Sequence, residues 1–224
     1  MTVDLGPLIE QARQASPWDI GNEALYRLCR EHPAHTNIAA IVAKVWLIGR
    51  SYAAAIERRL EKPANEENDN FYLGKVAPAI RDSNIDDWLT CARIASVDDS
   101  ERTKVMQRVH NETTRLFKKI SGLEKRSLAS KYLHFHVPDL FFIYDARVTR
   151  AMSLLTSIVG HASNAGSEAD PEYGRFVEKC FRLKSHVHEL SGQNLTCRQL
   201  DNLLLQVYLD KDIISTGAVA SAKR

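Results

Sequence analysis

Within about thirty residues, Gly122 to Arg150, the chain places an amine, a carboxylate and a cation-bearing glycine turn, the residue types that acid–base and nucleophilic chemistry requires. Lys131 is flanked by Leu128, Tyr132 and Phe135. Apolar surroundings disfavour the ammonium form and make a lysine nucleophilic near neutral pH. The competing use of such a residue is a stem that covers the core while its head reaches water. Asp145 follows the apolar run Leu140 to Tyr144 and opens a helix, where a carboxylate either caps free amides or serves a reacting centre. The turn Ile120-Ser121-Gly122-Leu123-Glu124, continued by Lys125 and Arg126, joins two helices. The first amides of the second helix are then free to hold an anion such as a phosphate; the alternative is an ordinary helix–helix corner.

Charge is concentrated around that turn. From Glu101 to Lys131 the cations are Arg102, Lys104, Arg108, Arg115, Lys118, Lys119, Lys125, Arg126 and Lys131, against Glu101, Glu112 and Glu124. This local excess of six positive charges contrasts with +2 for the whole chain, and it suits a polyanion. A solvated helix face that happens to be basic is the alternative. Arg50 and Tyr52, in the segment GRSYAAAIERR, add planar groups able to stack on a base or meet a phosphate. His134 and His136 stand two apart at a helix end, point to different faces and make a poor metal pair, as do His186 and His188. Trp18, Trp46 and Trp88 are expected in the core.

The letters Ala129-Ser130-Lys131-Tyr132-Leu133 and Ile143-Tyr144-Asp145-Ala146-Arg147-Val148, behind a glycine hairpin, resemble the helix-hairpin-helix DNA glycosylase superfamily. The likeness is to its 8-oxoguanine branch, whose members carry a hairpin, then K-x-A-S-x-x-L and I-x-D-x-x-I/V. It covers only about thirty residues. It implies a protein that extrudes a damaged base, such as an oxidised purine, from double-stranded DNA and cleaves its N-glycosidic bond. Asp145 would stabilise the charge developing on the sugar, and a lysine would give the family's lyase step. That position holds Ser127 here; the nearest amines are Lys125 and Lys131, the latter one helical turn further along the same face. The family's L-P-G-V-G turn keeps its first glycine as Gly122 and has Glu124 in place of the second, with Lys125 and Arg126 placed to compensate. The expected nucleic-acid contacts are Gly122, Lys118, Lys119, Lys125, Arg126, Ser127 and Arg147, with Arg50 and Tyr52. Two other readings stay open: a binding protein of the same fold without chemistry, and a helical interaction protein that never meets nucleic acid.

The elements that must position these groups read as all-α. Apolar residues recur at helical spacing nearly throughout, and strand-like alternation is rare. Nine or ten helices in two lobes are expected. They run over about Pro17–Arg30, Thr36–Leu60, Phe71–Arg81, Ile85–Ala95, Ser100–Ile120, Arg126–Phe135, Asp145–Val159, Pro171–Leu190 and a last one capped by Thr196 and Gln199. Polar or small segments at Lys62–Asn70 and Gly160–Ala169 and a frayed tail, Gly217–Arg224, divide the chain into segments 1–70, 71–160, 161–216 and 217–224. The 224 residues, 44% hydrophobic, suffice for one large core or two small ones. Cys29, Cys91, Cys180 and Cys197 form no C-x-x-C pair and read as buried or half-buried free thiols, so neither zinc nor an iron–sulfur cluster, nor any other cofactor, is expected. The longest apolar run, Ile38 to Ile48, is interrupted by Lys44 and falls short of a bilayer. The start, MTVDLGPLIEQ, lacks a secretory layout, and a cytoplasmic protein without membrane contact is the expectation.

Overall fold

The computed structural model describes residues 4–59, 71–96, 102–162 and 170–210, and every regular element among them is helical. In chain order these are α1 (Gly6–Arg13), α2 (Asp19–Glu31), α3 (Ile38–Ser51), a π-helical turn (Tyr72–Val76) running into α4 (Ala77–Arg81), α5 (Ile85–Ala95), α6 (Arg102–Ser121), α7 (Arg126–His136), α8 (Ala146–Leu154), α9 (Thr156–Val159), α10 (Pro171–Ser191) and α11 (Cys197–Leu209). The chain is all-α, as its periodicity predicts. None of the described helices is long and apolar enough to cross a membrane. The segment expected as a loop over Lys62–Asn70, most of the linker Gly160–Ala169 and the tail from Gly217 lie outside the described residues.

Two compact units result: an internal one, Pro17–Phe141, and a terminal one, Met1–Ser16 with Phe142–Arg224. In the terminal unit, α1 buries Leu8, Ile9 and Ala12 and packs on α11, with Asn202 Nδ2 donating to the Ala12 carbonyl at 3.3 Å. Helix α11 also packs on α8, and Thr196 and Gln199 close its start reciprocally, as the sequence signature predicts.

In the internal unit α7 is the central rod. Every residue from Leu128 to Val137 is buried, and α2, α3 and α6 surround it. A helix enclosed on all sides is normally apolar throughout. This one buries Ser130, Lys131, His134 and His136 as well, so each polar group needs a partner in the interior.

Helix α3 ends earlier than its apolar stripe suggests. It stops at Ser51, where Ala53 takes a left-handed conformation (φ 49°) while Ala54 N donates to Gly49 O at 2.7 Å and Ala53 N to Arg50 O at 3.2 Å. That pair of bonds is a Schellman ending, usually marked by glycine. Alanine carries no such signal. Gly49 makes the return path feasible, because a Cβ there would stand 3.0 Å from Ala55 Cα.

The tryptophans depart from expectation. Trp18 is 79% and Trp46 45% exposed, and Trp88 is half-buried. Trp18 lies just ahead of α2, which begins at Asp19 with Trp18 as its cap rather than at Pro17; Trp46 lies on the outer face of α3, away from the Ile41, Val45 and Ile48 stripe. The cysteines are free, with Cys29, Cys180 and Cys197 buried and Cys91 exposed on the outer face of α5.

Candidate functional site

The α6–α7 turn is built by glycine. Gly122 adopts φ 73°, and its N–H closes the end of α6 on Lys118 O at 2.7 Å. Helix α7 then starts behind Lys125, with no side chain capping it. Glu124 does not leave the cations of the turn to a ligand: its carboxylate pairs with Arg126 at 2.5 Å and with Lys118 at 3.3 Å. Lys125 Nζ donates to the Arg58 carbonyl at 2.7 Å, so it ties the turn to the chain leaving α3. Burial pushes its amine below the usual lysine range; Glu57 opposes this, and the Arg59 and Arg58 cations add to it.

Lys131 is 1% exposed, and its Nζ donates to Ser127 Oγ at 2.7 Å, one turn back on α7. The ammonium also lies over the Tyr52 ring, 5.9 Å from its centre. Tyr52 donates to Asn22 Oδ1 at 2.6 Å and packs edge-on against Phe135. Arg50 pairs with buried Glu57, which also accepts from Tyr72 at 2.5 Å, so Arg50 and Tyr52 hold α3 and the turn after it to the rest of the unit.

In the terminal unit, Asp145 is the N-cap of α8. Its Oδ1 accepts from Arg147 N at 2.9 Å and Val148 N at 3.2 Å, and its Oδ2 lies 3.4 Å from the Arg147 guanidinium. The side chain is 13% exposed. Capping is the use the geometry displays.

Outward from the turn, Lys104, Arg108, Arg115, Lys118 and Lys119 are all exposed, and the steps of four, seven and four among 104, 108, 115 and 119 put them on one face of α6. Glu112 sits on this face and pairs with Arg115 at 3.6 Å. The opposite face buries Met106, Val109, Thr113, Phe117 and Ile120.

A second group of chemistry-bearing residues is brought together inside the internal unit. His35, in the connection between α2 and α3, donates from Nδ1 to Asp86 Oδ1 at 2.5 Å, and its backbone N–H donates to Oδ2 at 2.9 Å. A carboxylate only accepts, so the proton sits on Nδ1 and Nε2 presents its lone pair. Toward it point Tyr132 OH at 2.7 Å and Lys44 Nζ at 3.1 Å. Lys44 places its other two donors on the carbonyls of His32 (2.9 Å) and Ala34 (3.4 Å) beyond the end of α2. His136 lies alongside, its ring centre 5.2 Å from that of His35; its Nδ1 donates to Tyr132 O at 2.8 Å, and its buried Nε2 has no hydrogen-bond partner.

The electrostatics follow from that burial. Desolvation, then the Lys44 ammonium, bring the His35 imidazole down to about 4 against the pull of Asp86. Desolvation brings Lys44 to about 8 and raises the nearby Cys29 thiol to about 12. Burial alone would raise the Asp86 carboxyl, but the His35 N–H groups outweigh it and hold it below the usual carboxylate range. His35 is therefore neutral near pH 7, and its contact with Asp86 is a charge-assisted hydrogen bond rather than an ion pair. The sequence carried one signal of this cluster, Lys44 within an otherwise apolar stripe, since a charge on a core face must find partners.

Among the described residues no three histidine, cysteine, aspartate or glutamate side chains gather to hold a metal ion. Compared with protein-family models, with curated proteins and with solved structures, the chain matches none.

Proposed function

We propose that this chain binds the sugar–phosphate backbone of double-stranded DNA along α6 and at the turn into α7. The observation that supports the reading is the exposed row Lys104, Arg108, Arg115, Lys119, with Lys118 at its flank. From Lys104 to Lys119 it measures ~22 Å at the helical rise, the span of about six phosphates along one strand. Glu124 and Glu112 pair with Lys118, Arg126 and Arg115, so Arg108 and Lys119 carry most of the binding and the rest of the row meets about one further phosphate. Anisotropy of a labelled duplex tests this. With about three phosphates neutralised, affinity falls about fortyfold between about 50 and about 200 mM salt. Replacing Arg108 and Lys119 by Ala weakens binding and cuts that salt effect to about fourfold; absence of binding at low salt overturns the reading and leaves a helical interaction protein.

Asp145 favours a second reading, a DNA glycosylase-like hydrolase acting in base excision repair without a lyase step. Its carboxylate opens α8 beside the exposed guanidinium of Arg147, a cation suited to phosphate. Lys131 has no part in this version, its amine being buried and bonded to Ser127. Asp145→Asn is the informative variant because asparagine caps helices as well as aspartate. Release of an oxidised purine from a duplex oligonucleotide is expected to vanish in that variant with fold and DNA affinity kept; release that is absent in the wild type removes the enzymatic reading.

A further inference from the structure

Four parts of the internal unit meet at one imidazole: the α2–α3 connection through His35, α3 through Lys44, α5 through Asp86 and α7 through Tyr132 and His136. We propose that His35 and His136 form an acid-released latch, in which a proton taken up on each ring unfastens the α2–α3 connection from α5 and α7 and unfolds the internal unit.

Geometry dictates the direction. A proton on His35 Nε2 removes the acceptor shared by Lys44 and Tyr132 and sets a cation 3.1 Å from a fully buried ammonium. Asp86 pulls the other way. Its side chain is 45% exposed and its attraction is weakened by water, whereas the repulsion from Lys44 acts through a dry interior, so repulsion prevails. On His136 the free site is Nε2, and a proton there becomes a buried donor with nothing to accept it. The other groups facing the pair do not help: Arg93 of α5 is a further cation, Cys29 of α2 is held as the neutral thiol, and Phe117 of α6 offers Tyr132 only a ring edge. His35 brought down to about 4, and His136 held well below the usual range by burial and then by Lys44, agree with this.

The sign is that of a base whose folded pKa is depressed. Unfolded histidines take their protons near pH 6.5 while these two do not, so stability is complete above that pH and is lost as pH falls from there toward 4. Two protons make the folding constant fall about a hundredfold per pH unit in that interval, and one proton about tenfold.

Trp18, Trp46 and Trp88 all lie in the internal unit, so tryptophan fluorescence reports its unfolding selectively. Urea titrations of the full chain at about pH 7, 6 and 5 are expected to show the steep fall in the wild type. Either His35→Gln or His136→Gln lowers the slope to near tenfold, while His161→Gln in the terminal unit leaves it as it was. Slopes that do not differ between wild type and the two variants overturn the latch. Should the variants fail to fold, imidazole nitrogen spectra of the wild type at about pH 5.5 decide: two neutral rings support the proposal, and a protonated His35 or His136 in the folded protein defeats it.

Discussion

Asp145 accepts from two backbone amides and Asp86 from a ring and a backbone N–H, yet they belong to different kinds of site. Asp145 reaches amides two and three residues ahead of it, within the first turn of its own helix. Asp86 reaches the ring and backbone of His35, 51 positions earlier, and through that ring the hydroxyl of Tyr132, a further 97 positions along from His35. The first arrangement forms whenever α8 forms, and its loss is felt locally. The second exists only when three helices and a connection are packed, so removing one member leaves charges and donors stranded in a dry interior. A motif can thus be complete in sequence and serve mainly to cap a helix, while the denser chemistry of the molecule carries no motif at all.

The sharpest way to press that contrast is to empty the buried site. His35→Ala strips partners from Asp86, Tyr132 and Lys44 and leaves a void, and is expected to cost about 3–5 kcal/mol in urea unfolding at neutral pH. Next in size is the alkaline limb. Lys44 at about 8 weakens the fold at every pH below that value, a penalty withdrawn as pH rises from 8 toward 10.5, whereas Cys29 raised to about 12 removes stability as pH climbs above 9. Cys29→Ala deletes the opposing leg, so its stability is expected to keep rising from pH 9 toward 10.5 where the wild type levels off, a gap on the order of 2 kcal/mol at the end of that interval. Smaller again is Asp145→Ala, about 1 kcal/mol for a lost cap, with Asp145→Asn within a few tenths. A cost for Asp145→Ala as large as that for His35→Ala would erase the distinction between the two aspartates. A small effect is also expected at Ala53, where Gly relieves a left-handed alanine and raises the unfolding free energy in urea by less than about 1 kcal/mol, the added chain entropy offsetting part of the gain.

Helix positions were legible where the chemistry of an end is local. Thr196 with Gln199, Pro171 behind Asp170, and Gly122 after α6 all mark real boundaries. The early end of α3 was not, because Ala53 has no preference for the conformation it adopts; the close return of Ala55 over Gly49 imposes it. Helix α1 shows Leu5, Leu8, Ile9 and Ala12 at helical spacing, but its two turns find their burial on α11, from the other end of the chain. Of the predicted site residues, Gly122 forms the expected turn, and Lys131 shares a face with Ser127 as the spacing requires. What spacing could not convey is that Glu124 claims Arg126 and Lys118, that Lys125 is spent on a carbonyl, or that Arg50 and Tyr52 are bonded inward.

By itself the sequence determined the helical class, most helix ends and the basic row of α6, since all of these rest on interactions among residues a few positions apart. Only the tertiary structure decided which polar residues would share the interior. His35, Lys44, Asp86, Tyr132 and His136 come from segments that meet through packing, and the burial that changes their protonation belongs to no one segment.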